Sequence, residues 1–138
     1  MRSNATKLGL LAAAVIVLAG CSSGAVLSDV DPNIFPASYR KEVLDTLVPL
    51  LDDPTHVRDA FISDPVLTTG KDPRYVVCVR YNERDSNQRY TGRKDRIAYF
   101  FGGKLNQLID ATPEQCGKAA YKPFTELEKF CLGAGCTN

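Results

Sequence analysis

Residues 75–82 (YVVCVRYN) and 96–109 (RIAYFFGGKLNQLI) decide the fold. In the first stretch Tyr75, Val77, Val79 and Tyr81 alternate onto one face, with Val76, Cys78 and Arg80 on the other, the period-two pattern of a strand. In the second, RIAYFF is strand-like, Gly102-Gly103 is a two-residue hairpin signal, and KLNQLI returns antiparallel. The polar run 83–95, carrying Gly92, reads as a long hairpin loop. Together these stretches predict a three-stranded meander.

Toward the N-terminus, 57–63 (VRDAFIS) offers a possible fourth strand, ended by Asp64-Pro65, and Thr69-Gly70-Lys71-Asp72-Pro73 forms a loop. Residues 38–51 (SYRKEVLDTLVPLL) place Tyr39, Val43, Leu44, Leu47, Leu50 and Leu51 at helical spacing, with Ser38 as N-cap and Pro49 kinking or ending the helix. Toward the C-terminus, Thr112 as N-cap, Pro113 at N1 and Gln115 at N3 predict a helix running to about Tyr121. Pro123 or Thr125 then opens another turn or two, with Phe124, Leu127 and Phe130 on one side. The expected class is α+β: a small three- to four-stranded antiparallel meander, one N-terminal helix and short C-terminal helices, all packed on one face.

The composition is ordinary for a globular chain: 138 residues, 44% hydrophobic, 24% charged. With 17 basic and 16 acidic residues, no overall field points to nucleic acid. His56 is the only histidine, which excludes a multi-histidine metal site.

The N-terminus carries an address. Arg2 and Lys7 precede an uncharged run, 8–19 (LGLLAAAVIVLA), too short to span a bilayer comfortably and shaped like a signal peptide. Its end, Leu18-Ala19-Gly20-Cys21, resembles the lipobox of bacterial lipoproteins. The resemblance covers about the first 22 residues. It implies cleavage before Cys21, a diacylglyceryl group on the Cys21 thiol and a further acyl chain on its amine, together a firm membrane anchor. Ser22 rather than Asp after the cysteine implies the outer membrane, with the domain facing the periplasm. Loss of residues 1–20 would leave 118 residues, with 15 basic and 16 acidic groups. Residues 22–37 (SSGAVLSDVDPNIFPA), small, polar and interrupted by Pro32 and Pro36, read as a tether, and 38–138 as a single domain.

Lipidation of Cys21 leaves Cys78, Cys116, Cys131 and Cys136. An even number in an oxidising compartment argues for two disulfides. Three pairings are possible. Cys78–Cys116 with Cys131–Cys136 is preferred, because Leu-Gly-Ala-Gly lets the second pair turn back. Without a C-x-x-C spacing, a zinc site or redox pair is disfavoured.

Nothing favours an enzyme: no G-x-S-x-G, no phosphate loop, and adjacent carboxylates explicable as a helix stop (Asp52-Asp53) or a helix face (Glu126, Glu128). One feature is uneven. Arg80, Arg84, Arg89, Arg93, Lys94 and Arg96 fall in one segment, partly offset by Glu83, Asp85 and Asp95, with Tyr81 and Tyr90 between them. Arginine forks match phosphate and carboxylate, so lipid A, peptidoglycan or an acidic envelope protein are candidate partners. Tyr75, Tyr81, Tyr90 and Tyr99 suggest a contact face on the sheet.

The sequence therefore leads to a non-enzymatic, lipid-anchored binding or accessory module, without cofactor or metal. Its order of elements loosely resembles accessory lipoproteins of the outer-membrane β-barrel assembly machinery, which usually place two helices before the sheet where one is expected here. Alternatives are an inhibitor of a cell-wall lytic enzyme, an enzyme acting on envelope polymers, or a spacer.

Overall fold

The structure, a computed structural model, describes residues 31–130. The expected signal peptide, Cys21, the first part of the expected tether and the expected Cys131–Cys136 pairing lie outside the described residues.

The meander forms where the alternation placed it. Strand β3 (Tyr75–Arg84) pairs antiparallel with β4 (Lys94–Phe101), which pairs with β5 (Lys104–Asp110). Between β4 and β5, Gly102 and Gly103 adopt φ 57° and 77°, the left-handed pair that a tight hairpin requires. The possible fourth strand is longer than 57–63: β1 runs from Asp53 to Ser63 and pairs with β3. Two strands escaped the sequence reading. A two-residue β2 (Val66–Leu67) continues the same edge of β3 beyond the Asp64-Pro65 break, and β6 (Tyr121–Pro123) pairs with β1. The sheet therefore has six strands, ordered β5-β4-β3-β1-β6 with β2 beside β3.

A bulge explains why β1 was hard to read. Val57, Ala60 and Ile62 are all buried on one face, yet the odd spacing from Val57 to Ala60 cannot do this in a regular strand. An extra residue enters where the pairing shifts between Arg58↔Asn82 and Phe61↔Arg80, and Asp59 takes φ 53°. The carboxylate of Glu128 accepts from the Ala60 N–H at 2.9 Å, and Phe124 N–H donates to Ala60 O at 2.8 Å, fixing the kink. Asp59→Val is expected to cost ~1–2 kcal/mol in chemical denaturation, whereas Asp59→Gly is neutral or stabilising.

The helix predicted over 38–51 splits. Helix α1 (Tyr39–Leu47) is followed by a 3₁₀ turn (Val48–Leu50), because Pro49 has no N–H to extend the α-pattern. Val43 and Leu47 are buried against the sheet, with Val77, Val79, Tyr81, Ala98 and Phe100 beneath. A short helix α3 (Thr125–Glu128) adds Phe124 and Leu127 to the same core.

The helices do not all pack on one face, contrary to what the sequence pattern predicts. Helix α2 (Pro113–Cys116) lies on the opposite face, where Cys78, Ile97 and Cys116 form a second, smaller core with Val76, Tyr99 and Tyr121. The capping box of Thr112 and Gln115 forms as expected, but α2 stops at Cys116 rather than near Tyr121. The chain needs that length to cross back and pair β6 with β1. The Cys78–Cys116 disulfide clamps α2 to β3.

The later part of the predicted tether is packed. Pro36 is fully buried, Gly102 N–H donates to Pro32 O at 3.2 Å, and the Phe35 ring meets Tyr75 edge-on at 5.4 Å. The stretch from Asp31 is therefore part of the domain.

Candidate functional site

The six cations singled out in the sequence do not form one open patch. Residues directly opposite in the β3–β4 register share a face. Arg80 pairs with Asp95 and lies on the α2 face, whereas Lys94 opposes Tyr81 and Arg96 opposes Val79 on the main-core face.

Each cation also meets a carboxylate. Arg80 holds Asp95 through two hydrogen bonds of 2.7 and 3.1 Å and lies 4.4 Å over the Tyr121 ring. That fork holds the Asp95 carboxyl below the ordinary range, against the opposing effect of burial. Arg84 donates twice to Asp53, at 3.0 and 2.6 Å. Partial burial works against ionisation of Asp53, but hydrogen bonds from Arg84, His56 and Thr55 outweigh it and hold the carboxyl well below its ordinary range. Lys94 meets the buried Glu83 at 2.5 Å, and Arg96 donates to Tyr81 Oη at 3.0 Å and faces Asp110 at 3.5 Å.

The most exposed of the six cations are those of the hairpin loop. Arg89 lies 3.4 Å from Asp85 and Arg93 3.8 Å from Asp95, with side chains 75% and 67% exposed. Five carboxylates (Asp53, Glu83, Asp85, Asp95, Asp110) thus answer six cations, and little net field remains. Two of these partners, Asp53 and Asp110, lie outside the segment 80–96 and were invisible to a reading of that segment alone.

The tyrosines are mostly structural. Tyr81 is buried, and burial pushes its phenol up despite Arg96. Tyr99 Oη accepts from Gln115 Nε2 at 3.0 Å, tying β4 to α2. Tyr75 packs beside the main core. Tyr90 alone is exposed, with the Arg58 guanidinium 3.8 Å over its ring.

His56 sits on β1 rather than in a turn. Thr55 Oγ1 (3.0 Å) and Asp53 Oδ1 (3.1 Å) both approach its Nδ1. A catalytic triad needs nucleophile and carboxylate on different ring nitrogens, so this cluster does not form that relay. With Cys78 joined to Cys116, four thiolates cannot gather. Among the described residues no group of three or more His, Cys, Asp or Glu is placed to hold a metal ion.

One concavity was not foreseen. An open cleft of ~540 Å³ lies on the α2 face, floored by Val66, Val76 and Cys78 and walled by Gln115, Lys118 and Ala119. Its signal in the sequence was Val66, an apolar residue directly after Asp64-Pro65, on the same face as Val76.

The outward charges of α1 and α3 serve the fold. Arg40 grips Glu126 through Nε (2.7 Å) and Nη2 (2.6 Å) and lies 5.2 Å over the Phe124 ring. These hydrogen bonds bring the Glu126 carboxyl down to about 2, against partial burial. A lowered folded-state value means the pair stabilises fully above the ordinary carboxylate value of 4.5 and loses that effect as pH falls toward 2. Arg40→Met should therefore cost about 1 kcal/mol or less at neutral pH, since the pair is partly exposed. The difference from the parent should shrink as acid titrations pass through that window.

Comparison with protein-family models, curated proteins and solved structures finds no match. Among the described residues no helix is long and apolar enough to cross a membrane.

Proposed function

We propose that this chain is a lipid-anchored lipoprotein of the bacterial cell envelope, whose domain is a non-enzymatic binding or accessory module for another envelope component. The observation that carries the reading is Leu18-Ala19-Gly20-Cys21 at the end of an uncharged run behind Arg2 and Lys7. The Cys78–Cys116 disulfide is in keeping with an oxidising compartment such as the periplasm.

Within the domain, the hairpin tip is the favoured contact surface. Arg89 and Arg93 keep exposed guanidinium groups beside the exposed Tyr90, whereas Arg80, Arg84, Lys94 and Arg96 are engaged in cross-strand pairs. Arginine and tyrosine together suit an acidic partner surface.

The test is in-cell crosslinking of the tagged chain, followed by identification of its neighbours. One dominant envelope partner, lost on Arg89→Glu/Arg93→Glu, is the expected result. Only abundant bystanders, unchanged by that variant, would sink the binding-module reading. A Cys21→Ala control should leave the membrane fraction.

A further inference from the structure

We infer that the end of the sheet nearest the N-terminus rests on the bilayer that holds the lipid anchor. The inference rests on the lipoprotein reading and adds an orientation to it. Five large apolar side chains, Ile34, Phe35, Val66, Leu67 and Phe101, are between 42% and 60% exposed. The fold brings all five to one end of the sheet, with Val66 on the α2 face and Leu67 on the main-core face, so that this end is apolar on both sides. Phe35 meets Tyr75 at the start of β3, and Val66 and Leu67 oppose Val76 and Tyr75 from β2. Phe101 ends β4 at the turn where Gly102 binds Pro32, and a Cβ added at Gly103 would meet Ile34 Cγ2 at 2.9 Å. Apolar side chains gathered in this way mark a surface that meets something other than water.

The chain itself indicates the occupant. It enters the domain at this same end, through Asp31 and Pro32. Only residues 22–30 separate it from Cys21, a span of at most ~30 Å when fully extended. So short a link holds this end at high effective concentration beside the membrane that carries the anchor. In the β2–β3 loop exposed Lys71 and Arg74, with exposed Asp72 between them, leave one net positive charge beside the apolar groups, of the sign that meets anionic headgroups.

The orientation has a consequence for partner binding. Strand β3 runs away from this end for ten residues, roughly 30 Å. It carries Arg89, Tyr90 and Arg93 to the far side of the domain, facing away from the anchored bilayer.

The test uses the full chain expressed in cells, with a benzophenone side chain at position 35 or 66 and irradiation of membranes containing clickable phospholipid. Positions 61 and 109 are controls, since Phe61 and Ile109 are also exposed but lie further along the sheet. Lipid adducts at 35 and 66, several-fold above those at 61 and 109, are expected. Equal yields at all four positions, or adducts to a second copy or another protein instead of lipid, would overturn the inference. Metabolic labelling of Cys21 with an alkyne fatty acid reads the anchor separately. Labelled protein without lipid adducts at 35 and 66 refutes the orientation alone. Absence of labelling refutes the lipoprotein reading and the orientation with it.

Discussion

A Cys78→Ala/Cys116→Ala variant is expected to lose roughly 4 kcal/mol of stability, the loop-closure effect for a crosslink spanning 38 residues. For a domain of this size that corresponds to a fall of roughly 15–30 °C in Tm. The reason is local as well as entropic. The small apolar cluster on the α2 face has three buried members, Cys78, Ile97 and Cys116, so the disulfide supplies two of the three. Helix α2 has four residues, far below the length at which a helix persists alone. Its release should open the segment 111–120 to protease while the sheet keeps its far-ultraviolet circular dichroism. Thermal denaturation of parent and variant, with limited proteolysis alongside, checks both statements. An unchanged Tm and protease pattern would show that α2 is held by its other contacts.

Phe124→Ala is the second large effect, at ~3–5 kcal/mol in urea denaturation. Phe124 is fully buried, its N–H binds Ala60 O at the β1 bulge, and Arg40 of α1 covers its ring. One residue, through its ring and its backbone N–H, therefore joins the N-terminal helix, the bulged strand and the C-terminal turn. Phe124→Leu keeps most of the volume and should cost under about 1.5 kcal/mol. A cost below about 1 kcal/mol for the alanine variant would mean that the site collapses around the void, or that α3 does not seal the core.

The central meander was legible in the sequence because the β-branched and aromatic side chains of 75–82 favour a strand and Gly102-Gly103 admits one tight turn. What was hidden depended on partners distant in the chain. Strand β6 is three residues that become a strand only by lying against Phe61–Ser63. Strand β1 broke its alternation at Asp59, and no local signal shows that a bulge will restore it. The length of α2 was overestimated for a related reason: the capping box marks where a helix starts, whereas its end is set by the crossing back to β1. Among the disulfides, Cys78–Cys116 formed as preferred, while the second pair lies outside the described residues. The cluster at 80–96 was visible as composition, but its neutralisation was not, since Asp53 and Asp110 join it only through pairing with β3 and β4.

The central claim, a lipoprotein anchored at Cys21, is tested most directly by mass spectrometry of the N-terminal peptide from chain extracted from membranes. The account predicts a peptide that begins at Cys21 and carries a diacylglyceryl thioether. A dominant peptide spanning an intact Gly20–Cys21 bond, with an unmodified thiol, would contradict it.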